Sequence, residues 1–424
     1  MKRRILFLVF VGAQFASGFI AFGLWGIVSH SSDQSVFAQL QTALAVAMVI
    51  YLPISLGLPF LVANYARRRD EAGLRQYSFA VRAPLVTALA ACAIAISIAL
   101  LAPGELGGVS IALSTASAVS LSVLALQIAR VNWSLAWLTV GTMLGIGLPL
   151  VSVMASTRIL GQEVISVVAV SLAAISSIAA IYTLVLVRRF PWGLGTAAKR
   201  TLGLSLPLVP HLIVFGALTQ GPRLTASIVG GDAELITQAA YVMQFMGIGF
   251  AALSSVHGVL AASLQSMPLS EFRLRSPRIS WAYAGLGLVS SVAVVLALMS
   301  PLASVFRGFA ALSSFELASI ALTFGALSGY YFQSTCLVRG ERTAVLAAFS
   351  VPTSVLYFSL GFVVSGLGGL MGIMALAFLT LHLLVGVYRV VAGDGDRRDL
   401  LKTMAVSFIG YLPAGVLLCV ALGN

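Results

Sequence analysis

The chain has 424 residues, 59% of them hydrophobic and only 9% charged, with a formal net charge of +12. Soluble domains carry roughly 25% charged residues, so this supply of charge cannot build a water-facing surface, whereas it suits a lipid-facing one. At about 20 residues per crossing, the length accommodates about 12–14 spanning helices joined by short loops, and it leaves no room for a large soluble domain.

The first apolar run, 5–28, follows the basic start Lys2-Arg3-Arg4. It exceeds the roughly 7–15 apolar residues of a signal peptide and is expected to stay as the first span, with Gln14 inside it. Further runs follow at 36–63, 79–102, 108–129, 134–155 and 164–187. Backbone groups in lipid must be satisfied within the segment, so each run is predicted to be a helix. The roughly ten-residue alternating segments of a membrane barrel are absent. The least apolar connection runs from Arg188 to Gly203 and contains Pro191, Trp192 and Gly193. It divides the chain into an N-terminal bundle, 1–190, a cytoplasmic linker, 191–203, and a C-terminal bundle, 204–424. The second bundle holds runs at 204–229, 236–264, 279–302, 314–337, 344–365, 370–391 and 403–422. The fold class expected is therefore an all-α polytopic membrane protein of 12–14 transmembrane helices, in two six-helix bundles around a central cavity; the thirteenth run either belongs to a fourteen-helix plan or means that one earlier run is not a full span.

The loops orient the chain. Arg67-Arg68-Arg69, Arg188-Arg189, Lys199-Arg200, Arg273, Arg275, Arg278, Arg339, Arg342, Arg397-Arg398 and Lys402 fall on one side, and the other side holds little beyond Arg158 and Arg307. Positive loops stay inside, which predicts an inner-membrane protein with a cytoplasmic N-terminus. The same placement makes lipid, not nucleic acid, the partner of the positive charge.

Some chemistry is missing. There is no G-x-x-x-x-G-K-[ST] loop, no H-E-x-x-H and no clustered Cys and His, so no cofactor or metal is expected. Charged groups in the outer loops (Arg158, Glu163, Asp232, Glu234, Arg307, Glu316) are too scattered for a catalytic centre, and the chain is not expected to be an enzyme. All thirteen acidic residues fall in loops or at predicted helix ends. Cation-coupled carriers usually bury Asp or Glu, so coupling through a buried carboxylate is not expected.

The seventh run is the most unusual. It holds Pro207, Pro210, His211, Thr219, Gln220, Pro222 and Arg223. An arginine at a helix centre costs about 2.5–3.5 kcal/mol to insert. Thr219, Gln220 and Arg223 share one broad face of an ideal helix, which suggests an anion-binding patch; an arginine snorkelling to the nearer surface is the alternative. His211, His257, His382, Gln14 and Gln244 add polar groups inside spans, as do Gln39, Gln41 and Gln238. Each is either a substrate contact or a helix-to-helix hydrogen bond.

Residues 205–244 resemble the seventh and eighth spans of Wzx-type polysaccharide flippases, within the multidrug/oligosaccharidyl-lipid/polysaccharide exporter superfamily. Leu206, Pro207, Leu208, Pro210 and His211 match that family's opening, Gly230-Gly231 its turn, and Tyr241 the next helix. Gly221-Pro222-Arg223 stands where the family has S-D-R, so Pro222 replaces an acid. The resemblance implies a flippase moving a polyprenyl-diphosphate-linked glycan to the outer leaflet by alternating access, with glycan-assembly enzymes as candidate partners. Together with the placement of polar groups, it suggests substrate binding by Arg223, supported by Gln220, Thr219 and His211; Gln14, Gln244 and His257 are further candidates from polar placement alone. The second expectation is a multidrug efflux antiporter of the same superfamily.

Overall fold

The computed structural model describes residues 12, 19, 22–23, 25–30, 32–65, 71–102, 106–132, 196–229, 232–266, 269–339, 342–364, 366–392 and 397–423. Among these the chain is helical throughout, with no strand. Nine of the described helices are long and apolar enough to cross a bilayer, and the chain is a multi-pass membrane protein. The expected spans at 134–155 and 164–187, and most of 5–28, lie outside the described residues. Two compact units divide the chain, 1–217 and 218–424.

In the first unit, α1 (Gln34–Ile54) packs on α4 (Gly107–Asn132), and α4 packs on α3 (Glu71–Leu101); the short α2 (Val62–Tyr65) lies between. The buried residues of α4 are mostly small: Ser110, Ser114, Thr115, Ser117, Ala118, Ser120 and Ala125. Small side chains let helix backbones approach where lipid offers no hydrophobic drive for association. Ser110 Oγ donates to the Ala95 carbonyl of α3 at 2.7 Å. Helix α1 ends just past Pro53, and the Ile54 carbonyl accepts from Thr87 Oγ1. The chain then turns through Gly57, at φ 65°, into a short 3₁₀ segment, Leu58–Leu61. A side chain at Gly57 would be strained by that backbone and would also crowd the Ser205 carbonyl, at 3.3 Å. Residues 196–203 of the expected linker are helical, within α5 (Thr196–Ser205). Arg82, on α3, is buried.

The seventh span is broken into pieces. After α5 come α6 (Leu208–Thr219) and α7 (Gly221–Ile228). Pro207 and Pro222 stand at the two breaks, where a missing N–H costs least.

In the second unit, α8 (Ala233–Ser266), α9 (Leu269–Met299), α11 (Thr343–Gly361) and α12 (Gly366–Val391) pack around α10 (Ser314–Arg339). A last span follows as α13 (Arg397–Ser407), a 3₁₀ turn and α14 (Leu412–Gly423). Helix α10 opens with a capping box: Glu316 Oε2 accepts from the Ser313 N–H at 2.7 Å, and Ser313 Oγ accepts from the Glu316 N–H at 3.3 Å. It is not among the nine most apolar spans, because Ser319, Thr323, Ser328, Gln333, Ser334 and Thr335 line it. All six are buried. Glycines set its close contacts: a methyl on Gly249 or Gly287 would strike Phe324 or Ser328, and one on Gly325 or Gly329 would strike Tyr411 or His382.

The lipid-facing surface is apolar. On α9, Val289, Val292, Leu296 and Met299 are exposed at helical spacing, and on α11 Val351, Val355 and Leu356 are exposed. Polar groups inside with apolar groups outside is the arrangement that a bilayer stabilises.

Candidate functional site

The break at Gln220 positions the candidate site. Gln220 sits at φ −105° and ψ 7° as the N-cap of α7, and Pro222 occupies the first turn. The expectation that Thr219, Gln220 and Arg223 share one unbroken helix face does not hold. Pro222 has no N–H to continue the ladder, so α6 stops and α7 starts afresh.

Arg223 does not snorkel. It is 6% exposed. Its Nη2 donates to the Ala240 carbonyl of α8 at 3.4 Å, a long bond, while its Nε has no partner. Among the described residues no carboxylate pairs with it, and none of the acidic side chains described there is buried. The nearby polar atoms are also underused: Gln220 Oε1, Thr225 Oγ1 and Tyr357 OH are buried without hydrogen-bond partners.

Thr225 and Tyr357 come together through α7 and α11. The Tyr357 hydroxyl fills the space over Gly221, where a Cβ would overlap it. Thr225 is a hydrogen-bonding neighbour of the same tyrosine, although neither hydroxyl reaches a partner of full hydrogen-bond geometry. One turn further along, Thr225 Cγ2 lies against Gly361. Glycines at 221 and 361 therefore let α7 and α11 close around Tyr357 and Thr225. Each unsatisfied buried polar atom costs about 1–3 kcal/mol, and an unpaired buried cation costs more. Arg223, turned toward α8, can bind an oxyanion, while Gln220, Thr225 and Tyr357 can exchange hydrogen bonds with hydroxyl groups.

The sequence singles out Arg223 and Gln220 as candidates; the structure adds Thr225 and Tyr357 as buried polar groups on and beside α7. The signals were present: Thr225 lies two residues past Arg223, and Gly221 marks a close approach. Only the packing says that Tyr357 makes that approach.

The other expected site residues lie elsewhere. Thr219 ends α6, half-buried. His211 is buried in the first unit, its ring 6.0 Å from that of Phe215. Gln14 is outside the described residues. Gln244 is half-buried on α8, four residues past the Ala240 carbonyl that holds Arg223. His257, about 25 Å further along α8 than Ala240 by helical rise, stacks on Tyr331 at 4.2 Å and bonds the Tyr283 hydroxyl at 2.9 Å. The structure does not bring it to Arg223.

Two more polar groups tie elements together. Gln238 accepts from the Ala310 N–H at 3.1 Å and donates to the Gly308 carbonyl at 2.6 Å, which holds the 306–311 loop on α8. His382 bonds Tyr411 through Nδ1 and Ser407 through Nε2 at 3.0 Å. The one hydrogen of the Ser407 hydroxyl goes to the Met404 carbonyl at 2.6 Å, so Nε2 must be the donor to Ser407 and Nδ1 must accept from Tyr411. The tautomer is thereby assigned from the network.

Comparison of the coordinates with solved structures finds a point mutant of the Vibrio cholerae MATE transporter VcmN at a TM-score of 0.57, with 13% identity over 92% of this chain and 98% of that one. The MATE multidrug transporter DinF-BH, solved as a complex, aligns at 0.56, with 12% identity over 93% and 96%. An outward-facing multidrug resistance MATE family transporter of the MOP superfamily aligns at 0.54, with 13% identity over 99% and 96%. This chain has the MATE fold. No family model matches the sequence, and no curated protein does. The likeness therefore rests on helix arrangement over nearly the whole chain. In the MATE fold of this chain, the Arg223 cluster lies wholly within the second compact unit.

Proposed function

We propose that the chain is an inner-membrane flippase that carries a polyprenyl-diphosphate-linked oligosaccharide from the cytoplasmic to the outer leaflet by alternating access. The observation that carries the reading is Arg223, a buried guanidinium without a carboxylate partner among the described residues. A diphosphate supplies the missing negative charge, and Gln220, Thr225 and Tyr357 suit the hydroxyls of a sugar. The resemblance of residues 205–244 to polysaccharide flippases supports the same substrate class. His211, Thr219, Gln14, Gln244 and His257 belong to the proposal as further contacts along the route. Rigid-body rocking of two bundles, 1–190 and 204–424, joined through 191–203, is the proposed form of alternating access.

The test is Arg223→Ala and Arg223→Lys, expressed at wild-type levels, with outer-leaflet glycan as the readout. Alanine is expected to lower the rate at least about 10-fold, the size of a lost charge-assisted hydrogen bond, and lysine to recover part of it. An undiminished rate in Arg223→Ala rules the assignment out.

A second reading, efflux of small organic compounds, has support from the fold shared with multidrug transporters. Susceptibility to a panel of cationic dyes, with and without a sodium or proton gradient, separates the two. Export of glycan without any change in dye resistance favours the flippase.

A further inference from the structure

A second arginine is buried at the other end of the same unit. Arg389 stands in the last turn of α12 and is 3% exposed. Its Nη1 donates to Gln333 Oε1 on α10, its guanidinium lies 5.8 Å from the centroid of the Phe332 ring, and its Nε has no partner. No carboxylate among the described residues pairs with it. An arginine in a last turn ordinarily bonds the final carbonyls and offsets the helix dipole. This one reaches sideways to a neighbouring helix instead. Gln333 and Phe332 hold the guanidinium plane at one nitrogen and one face, and on the edge formed by Nε and Nη2 the buried Nε–H has no partner. That edge is the fork that matches two oxygens of an oxyanion. The site lies at the helix end, since α12 stops two residues on, at Val391.

We propose that Arg389, oriented by Gln333 and Phe332, forms a phosphate-binding site at the end of α12 expected to face the cytoplasm. The ligand is a phosphate group, carried either by a membrane phospholipid headgroup or by free phosphate. The site is separate from the Arg223 cluster and does not rest on the flippase reading. Phe332 contributes the face of a cation–π pair, Gln333 sets the angle of the fork, and the bound phosphate supplies a counter-charge that no carboxylate among the described residues provides.

The test uses the full chain in non-ionic detergent, titrated with inorganic phosphate against matched chloride. All variants are built on Arg223→Ala, which removes the other candidate anion contact. Phosphate is expected to bind this background. Adding Arg389→Lys, which keeps the charge but loses the fork, weakens binding about 10-fold, and adding Arg389→Gln abolishes it. The lysine variant covers the case in which Arg389→Gln does not fold. A parallel titration in phosphatidylcholine nanodiscs, with and without phosphatidylglycerol, identifies the source. Displacement of phosphate by the anionic lipid points to a headgroup, and indifference to it points to free phosphate. Phosphate affinity unchanged by both Arg389 substitutions overturns the proposal. A failed Arg223 assay in the transport experiment would leave this result untouched.

Discussion

Gly221 shows how one missing methyl group shapes the candidate site. The Tyr357 hydroxyl occupies the place of its side chain. Gly221→Ala is expected to destabilise the protein by about 1–3 kcal/mol through overpacking, read as a lower midpoint of thermal unfolding in detergent. Removing the closest atom should help: Gly221→Ala with Tyr357→Phe is expected to regain part of the loss, and a purely additive double mutant would disprove the contact. His382 makes the opposite case, a polar group fully used. Both its ring nitrogens are bonded, and Gly329 packs against the ring. Substituting Tyr411→Phe leaves Nδ1 buried without a donor and is expected to cost about 1–3 kcal/mol, with the same thermal measurement as the check.

Helices of this chain divide labour by how much polarity they carry. Helix α10 holds hydroxyls and amides and is buried by its neighbours, whereas α9 and α11 each turn an apolar stripe outward. The broken seventh span is the departure from regularity, and Pro222 is its cause. Pro222→Ala restores a backbone donor, raises helix propensity by up to about 3 kcal/mol in a helix interior, and favours continuation of α6 into α7. The expected outcome is a protein of equal or higher thermal stability with a slower transport rate, because the turn at Gln220 that sets Arg223 against the Ala240 carbonyl is lost. Retained transport would show that the break is not needed. Loop anchoring is testable in the same way. Gln238→Ala removes two hydrogen bonds to residues 308 and 310 and is expected to speed amide hydrogen exchange across 306–311 without altering exchange in α10.

At the level of the whole chain, charge asymmetry sets orientation. On a cysteine-free background, Glu234→Cys is expected to react with a membrane-impermeant maleimide from outside intact cells. Arg278→Cys is expected to react only after permeabilisation. Both side chains are exposed, so access to the reagent is governed by the membrane alone. The reverse pattern would invert the proposed topology and with it the cytoplasmic placement of Arg389.

Composition and periodicity alone were sufficient for the membrane class and for most described helices, because lipid forces every crossing to be a long apolar helix. They also singled out the seventh span, since Pro207, Pro222 and an intramembrane arginine are rare and costly there. Helix α10 was legible as a span but not as the centre of its unit. Its hydroxyls read alike whether they face protein or water, and only the surrounding helices decide. The site partners were hidden for a related reason. Tyr357 is 134 residues from Arg223 in the numbering, and Arg389 and Gln333 stand on different helices. Which side chains meet across helices depends on the rotation and closeness of packing, which glycines such as Gly221 permit but do not specify. The chain's chemistry was thus written locally, while the choice of which polar groups are buried together, and left without partners, belongs to the tertiary structure.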